Sequence, residues 1–432
     1  MSSSSSSSSF DPLLSETFTS PTNIAVIKYW GKNDVKLNTP MNSSVSLTLD
    51  QTDLHTITTV AASKNFKEDK LWLNDNETEI NSRGQVCLRE IRRLAQDRID
   101  PETGKVLVSK NEWDQYKVHI SSVNTFPTGA GLASSAAGLC CLVKALSQLY
   151  CAKEEYPGQF TAICRQGSGS ASRSWYGGFV RWQKGEKLDG TDSIAVQIAD
   201  ENHWPEMRAV ILVVSDKEKD TSSTSGMETS RLTSPLLQYR AASVVQPRLD
   251  EIEAAYLAKD FETFGRITMQ DSNQFHATCL DTYPPIFYMN DISKSIIKLV
   301  HVINSKAGKV IAAYTFDAGP NAVIYTLEKD VELVFAVMAK YFPAPGAASD
   351  YCNNPDAYNK IVSNSSSYLN GDFIQSLNST GRVPHAGDVK YMFLTKPGPG
   401  PISQPLTESL LDPKTGGPIA PGPKHKRLKI SH

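Results

Sequence analysis

Residues 124–138 read Asn-Thr-Phe-Pro-Thr-Gly-Ala-Gly-Leu-Ala-Ser-Ser-Ala-Ala-Gly, and this stretch restricts the chain most. Pro127, Gly129 and Gly131 form a loop whose backbone bends tightly and lets a ligand come close. Ser134 and Ser135 then open an alanine-rich apolar run, to Leu149, that reads as a helix. A glycine loop feeding a helix N-terminus presents free N–H groups and a partial positive charge, which together suit a phosphate. No Lys-Ser or Lys-Thr follows the glycines, so this is not a Walker loop. A tight turn before a packing helix would leave the same trace, so the loop decides a function only in company.

The chain supplies no global field to help. Its net charge is −2 over 432 residues. Phosphates must therefore be met by local cations, and the basic surface of a nucleic-acid binder is absent. A content of 40% hydrophobic and 21% charged residues is that of a globular protein, long enough for roughly two or three domains. The seven cysteines form no Cys-x-x-Cys pair, which implies reduced thiols and a cytoplasmic setting. No apolar run reaches membrane-spanning length, and the N-terminus lacks the apolar core of a secretory signal. The expected partners are small molecules, with no nucleic acid and no membrane.

Residues 2–9 are all serine. Residues 1–17 read as a disordered leader, with order beginning near Phe18. Residues 23–29 form a β-rich run that ends in the turn Trp30-Gly31-Lys32-Asn33. Lys28 inside that run stands out: a buried lysine needs a partner, so it sits at the strand end or has a task. Residues 44–49 and 54–61 alternate like paired strands, and residues 86–95 have helical spacing. Arg83, near the start of that helix, opposes the dipole; an anionic ligand or plain solvation would account for it. Residues 117–123 read as the strand that delivers the glycine loop. Residues 166–173, Gln-Gly-Ser-Gly-Ser-Ala-Ser-Arg, gather hydroxyls, glycines and an arginine, a mixture suited to an anion.

Residues 207–215 read as a buried strand and 221–226 as a hydroxyl-rich loop. Residues 235–278 read as helical, with a break near Lys259-Asp260. Residues 309–314 and 321–326 look like a strand pair around the turn Thr315-Phe316-Asp317-Ala318-Gly319-Pro320, where Asp317 can be a simple turn former. Residues 396–401, Lys-Pro-Gly-Pro-Gly-Pro, close the folded part, and 402–432 are expected to be a mobile Pro/Gly-rich basic tail. Residues 18–401 alone are then expected to fold and turn over.

Taken in order, residues 23–34 with Asn42-Ser43-Ser44, then 127–138, 167–178 and 315–322, resemble the mevalonate diphosphate decarboxylase family. That family belongs to the superfamily of galactokinase, homoserine kinase, mevalonate kinase and phosphomevalonate kinase. The resemblance runs over residues 19–401. One departure is Ala171-Ser172, where the family often has Ala-Cys. The resemblance implies an α+β fold in two parts. Residues 18–203 would resemble ribosomal protein S5 domain 2, residues 204–401 would be ferredoxin-like, and the active site would lie in the cleft between them. It also implies a homodimer and the ATP- and Mg²⁺-dependent conversion of (R)-5-diphosphomevalonate to isopentenyl diphosphate, ADP, phosphate and carbon dioxide.

By the same match, Asp317 lies at the substrate hydroxyl as general base or orienter. A carboxylate among phosphates needs a cation beside it, and Lys28 is the matching residue. Arg173 would hold the substrate carboxylate through paired N–H donors. Tyr29, Trp30, Gly31, Lys32, Arg83, Ser168, Gly169, Ser170, Ala171, Ser172 and Thr224 match substrate-binding positions. Gly129, Ala130, Gly131, Leu132, Ala133, Ser134 and Ser135 would cradle ATP, with Ser134 or Ser135 near the metal. A superfamily kinase without decarboxylation would keep the glycine loop and Asp317, but would have no use for Arg173 as a carboxylate clamp.

Overall fold

The computed structural model describes residues 13–52, 54–126, 134–215, 217, 219–422 and 425. The tip of the glycine loop, 127–133, lies outside them, and with it Gly129, Ala130, Gly131, Leu132 and Ala133.

Three sheets carry the fold. In the first, β1 (Leu14–Pro21) pairs antiparallel with β6 (His55–Ser63), which pairs with β11 (Lys117–Asn124). β7 (Lys70–Leu73) and β8 (Asn76–Thr78) extend that sheet at one edge, and β18 (Ile402–Ser403) adds to β1 at the other. α2 (Ser134–Leu149) lies on this sheet. Ala136, Ala137, Cys140 and Cys141 on α2 are fully buried, because small side chains let a helix approach a sheet closely. None of the seven cysteines is in a disulfide. The second sheet runs β13 (Ala195–Ala199), β12 (Phe179–Trp182), β5 (Ser44–Thr48), β2 (Asn23–Ile27). Two short ribbons stand apart: β3 (Lys32–Asp34) with β4 (Thr39–Pro40), and β9 (Arg98–Ile99) with β10 (Val106–Val108).

The third sheet is antiparallel, in the order β15 (Ala312–Phe316), β16 (Ala322–Leu327), β14 (Met207–Val213), β17 (Tyr391–Thr395). Helices α6 (Val245–Leu257), α7 (Phe261–Asp281), α8 (Asp291–Ala307) and α9 (Val331–Tyr341) contribute apolar residues to the same core. The break expected near Lys259-Asp260 is the boundary between α6 and α7. Asp260 caps α7 by accepting from the Thr263 N–H at 3.2 Å, and Lys259 takes a positive φ of 57°. The apolar core here also takes in Ile24, Val26, Ile27, Val45, Leu47 and Phe179 of the second sheet. The two parts are thus joined by packing as well as by chain.

Four sequence expectations need correction. Residues 44–49 and 54–61 are strands but not partners, since β5 and β6 belong to different sheets. Alternation marks a half-buried strand and says nothing about its neighbour. Order begins by Leu14 rather than Phe18, because Leu14 to Thr17 pair with Ala62 to Thr59. Residues 221–226 are not a loop throughout: α4 (Ser223–Thr233) starts within them, capped by Ser222. Residues 402–422 are not a mobile tail. β18 pairs with β1, the Leu410 N–H donates to Thr59 Oγ1 at 2.8 Å, and Leu410 and Leu411 are buried against Ile57, Val123, Ala61 and Trp72. The segment lacks any periodic pattern because single anchors, rather than an amphipathic face, hold it down.

Ending the chain after Pro401 should therefore destabilise it. Burial of a leucine contributes about 1.5–3 kcal/mol, and two are lost together with an edge strand. The expected result is a clearly lower urea midpoint than that of the full chain, read by circular dichroism; an unchanged midpoint would mean that the segment adds nothing.

Candidate active site

β2 ends at Ile27, and the next residues leave the sheet. Lys28 is 3% exposed, and its Nζ lies 2.5 Å from Asp317 Oδ1, in the turn between β15 and β16. The lysine is thus both at a strand end and paired. Burial pulls its pKa below the usual lysine value, and Arg173 pushes the same way, while Asp317 and Asp271 act to keep the proton on. Gly31 holds φ at +85°, and a Cβ there would meet Met41 Sδ at 2.5 Å. Only glycine fits this turn. On one side of it Trp30 donates to Ser230 Oγ at 2.8 Å and stacks edgewise on Phe275 and Tyr288. On the other side Lys32 is buried against the cleft.

α3 (Gln159–Gly167) leads into a 3-10 turn, Gly169–Trp175, that delivers Arg173. A Cβ on Gly169 would meet the Tyr29 hydroxyl at 2.8 Å and Trp182 at 2.7 Å, so the turn can lie this close only with glycine there. Arg173 donates to Ser44 Oγ at 2.6 Å, Ser46 Oγ at 3.0 Å and Asn23 Oδ1 at 3.2 Å. These bonds use Nε and Nη1. Among the described residues the guanidinium has no carboxylate partner. Burial lowers its pKa to about 10, with Tyr29 and Asp317 opposing the shift. Burial likewise pushes the Tyr29 phenol up, against Arg173 and Arg83.

These groups line one cavity of about 260 Å³. Three helix N-termini border it: Arg83 sits in the first turn of α1 (Ser82–Arg93), Ser134 and Ser135 open α2, and Ser223 and Thr224 open α4. Each terminus presents a partial positive charge, although Asn81 and Ser222 cap one N–H each at α1 and α4. Among the described residues, Lys28, Lys32, Arg83, Arg173 and Lys219 face the cavity against one carboxylate, Asp317. A larger hollow of about 1020 Å³ beside α1 is different: its Arg92 is paired with Asp69 and its Lys70 with Glu77.

Of the residues singled out from sequence, Lys28, Tyr29, Trp30, Lys32, Arg83, Ser134, Ser135, Ser168, Gly169, Ser170, Arg173, Thr224 and Asp317 line the cavity. Gly31, Ala171 and Ser172 do not. Ala171 is core, and Ser172 turns its hydroxyl onto the Gly169 carbonyl at 2.8 Å. Sequence reasoning missed Asn23, Lys219, Ser223 and Phe275. Asn23 stands at the head of the β-rich run, where a polar residue entering an apolar strand is a usable signal. Lys219 lies in the charged run 216–220 and gives none. Burial lowers the Lys219 pKa, with Asp317 opposing, and its Nζ is 3.3 Å from Ser223 Oγ.

Among the described residues, no group of three or more His, Cys, Asp or Glu side chains could hold a metal ion. Mg²⁺ keeps several waters and is bound largely through substrate phosphates. The hydroxyls of Ser134 and Ser135, which open α2 at the cavity, could add neutral oxygen ligands to such a phosphate-held ion. Among the described residues, no helix is long and apolar enough to cross a membrane.

A cleft this cationic, with a lysine-paired carboxylate in it, suits enzymes that transfer phosphoryl groups between small anionic molecules. Two family models cover the chain: a diphosphomevalonate decarboxylase-like N-terminal domain over residues 20–195, and a mevalonate 5-diphosphate decarboxylase C-terminal domain over residues 209–404. The chain belongs to the diphosphomevalonate decarboxylase family. It is 51% identical to the diphosphomevalonate decarboxylase of Rattus norvegicus, covering 89% of this chain and 92% of that one. It is 50% identical to the Homo sapiens enzyme, covering 90% and 94%. A crystal structure of a mevalonate 5-diphosphate decarboxylase superposes with a TM-score of 0.79 at 45% identity, over 93% of this chain and all of the other. A more distant chain, MDDEF, was solved with MVAPP, AMPPCP and magnesium; it gives a TM-score of 0.67 at 27% identity, over 91% of this chain and 99% of that one.

Burial, Arg83 and, in the other direction, Glu228 set the Lys32 pKa, which falls to about 8. A diphosphate bound beside it would restore the charge. Binding should therefore take up protons near pH 8, and affinity should weaken as pH rises through that value. Calorimetry of 5-diphosphomevalonate binding at pH 8, in buffers of different ionisation enthalpy, checks this. Lys32→Met should abolish the uptake.

Proposed function

We propose that this cleft converts (R)-5-diphosphomevalonate and ATP to isopentenyl diphosphate, ADP, phosphate and carbon dioxide, with the residues acting as follows. Arg83, Lys32, Tyr29, Trp30, Thr224 and the turn of Ser168, Gly169 and Ser170 hold the diphosphate and carbon chain. Residues 129–135 take the ATP phosphates, with Ser134 or Ser135 beside Mg²⁺. When bound, Mg²⁺ neutralises charge on the phosphates. Asp317 accepts or orients the proton of the tertiary hydroxyl as that oxygen takes the γ-phosphoryl group, and Lys28 holds Asp317 in place. Lys219 faces the same carboxylate and is suited to the developing phosphate charge. Loss of phosphate from the tertiary carbon then draws electrons from the C–C bond to the carboxylate, and carbon dioxide leaves. Most of the acceleration comes from positioning and preset charge.

The observation that carries this reading is Arg173. A buried guanidinium normally has an anion. Here it is held by two serines and an asparagine, in the same cavity as the Lys28–Asp317 pair, and among the described residues it has no carboxylate of its own. A substrate carboxylate completes it. A kinase without decarboxylation gains nothing in its chemical step from orienting such a carboxylate, because no bond to it breaks. The antiparallel third sheet with its helices agrees with a ferredoxin-like second part over residues 204–401. An S5-domain-2-like first part, from Leu14 to residue 203 with β18 on its edge, a homodimer and a cytoplasmic location complete the proposal. The direct test is incubation with ATP, Mg²⁺ and 5-diphosphomevalonate, following ADP and carbon dioxide together.

Two variants sharpen it. Asp317→Asn should abolish ADP and carbon dioxide release together while substrate binding weakens far less, since positioned bases contribute ~10²–10⁴-fold. Near-normal turnover would remove Asp317 from the catalytic set. Arg173→Gln should lower turnover on the order of 10²-fold or more without a comparable loss of ATP affinity. If it fails only by losing ATP, the kinase reading regains ground.

A further inference from the structure

Lys28 is gripped by groups that do not reach the cleft. The β2–β5 ladder shifts register between Ala25 and Ile27, so the sheet no longer serves the Lys28 peptide groups. Side chains take over, two of them from the second part and Asn42 from the first. The Lys28 N–H donates to Asp271 Oδ2 at 2.7 Å, and its carbonyl accepts from Arg240 at 2.8 Å and Asn42 at 3.0 Å. Asp271 lies on α7, and Arg240 opens the π-helical turn Arg240–Val244; both side chains are 0% exposed. Arg240 reaches both Asp271 oxygens, at 2.7 and 2.8 Å. The next residue of α7, Ser272, accepts from the Phe316 N–H at 3.0 Å. Phe316 immediately precedes Asp317. One point on α7 therefore holds the backbones on both sides of the Lys28–Asp317 contact.

A fully buried ion pair is a poor source of stability, since well-packed apolar residues often replace it at no loss. Single π-helical turns inside helices are frequent at functional sites. We propose that Asp271, Ser272 and Arg240 are positioning residues for the reaction, fixing the Lys28 and Phe316 backbones so that lysine and aspartate meet at the substrate hydroxyl. The inference rests on the reading of Lys28 and Asp317 as the reacting pair. A purely structural role predicts something else: lost stability and lost binding in step with lost turnover.

The experiment uses the full chain with kcat, both KM values, melting temperature and pH profile measured on each variant. The double change Arg240→Met/Asp271→Leu removes the fully buried pair. Arg248, which also reaches Asp271 Oδ1 at 3.1 Å, is 20% exposed and can turn to water. The Lys28 N–H loses its acceptor, so the melting temperature should fall modestly. Its kcat should fall on the order of 10²-fold for a misplacement of about 1 Å, with both KM values nearly unchanged. Ser272→Ala, the milder change, should lower kcat about 10-fold for one lost hydrogen bond, and Ser272→Thr should restore it. Lys28 faces Asp317 from the turn, Asp271 and His276 from α7, Arg173 from the 3-10 turn, and Arg240. Asp271→Asn removes one of the two charges that keep its proton on, so the alkaline limb of kcat should move to lower pH. Parental kcat in Ser272→Ala or in a folded double variant overturns the proposal, as does an unmoved alkaline limb, or a kcat loss matched by losses of binding and melting temperature. If the double variant does not fold, Ser272→Ala and Asp271→Asn decide. Lys28→Met separates the two failures: if it turns over normally, the reacting-pair reading itself is wrong.

Discussion

A lysine ammonium placed beneath a protein surface must have an anion, and here that requirement fixes how the two parts of the molecule meet. Lys28 belongs to the first part and Asp317 to the second. The lysine side chain is 4% exposed and the aspartate 31%. The pair is therefore asymmetric, with the cation sealed below and the carboxylate open to the cavity. Such an arrangement tolerates little sliding of one part against the other, because a separated lysine would be left desolvated and alone. The shared apolar core, running from Ile24 and Val45 to Val210 and Ile324, supplies the rigidity that the pair demands.

Around that pair the cleft carries excess positive charge in a chain whose net charge is −2. Among the described residues, five cations and three helix N-termini converge on one small volume. Their charges repel one another, and burial already pulls the pKa values of Lys28, Lys32, Arg173 and Lys219 downward. A polyanionic ligand relieves this strain as it binds. Ligand binding should consequently raise the stability of the whole fold by mass action.

Much of this was legible in the sequence, and the pattern of success has a physical basis. The glycine loop's flanks, the strand pair around Asp317 and the second small-residue turn are local motifs, in which spacing alone sets the backbone. Lys28 was legible because a charge inside an apolar run is an anomaly. Asp271 and Arg240 were not, because in a helical stretch they look like solvated surface charges, and only the tertiary fold shows them fully buried. Lys219 was hidden in the same way among charged neighbours. The pairing of β5 with β2 and β12 rather than with β6 was also out of reach, since alternation fixes a strand's faces and leaves its partner open. The C-terminal segment misled for the opposite reason. Its composition is that of a linker, yet a two-residue strand and two leucines anchor it.

That anchoring has a consequence for how the chain is made. β18 is made long after β1, with the second and third sheets between them in the chain. Until then the Phe18–Thr19 stretch of the outer edge of β1 lacks the strand that pairs with it, and its N–H and C=O groups are presented to any passing strand. The first sheet can nucleate early on β6 and β11, but this stretch is covered only when β18 emerges. The nascent chain is therefore exposed to edge-to-edge association at one defined place until β18 docks.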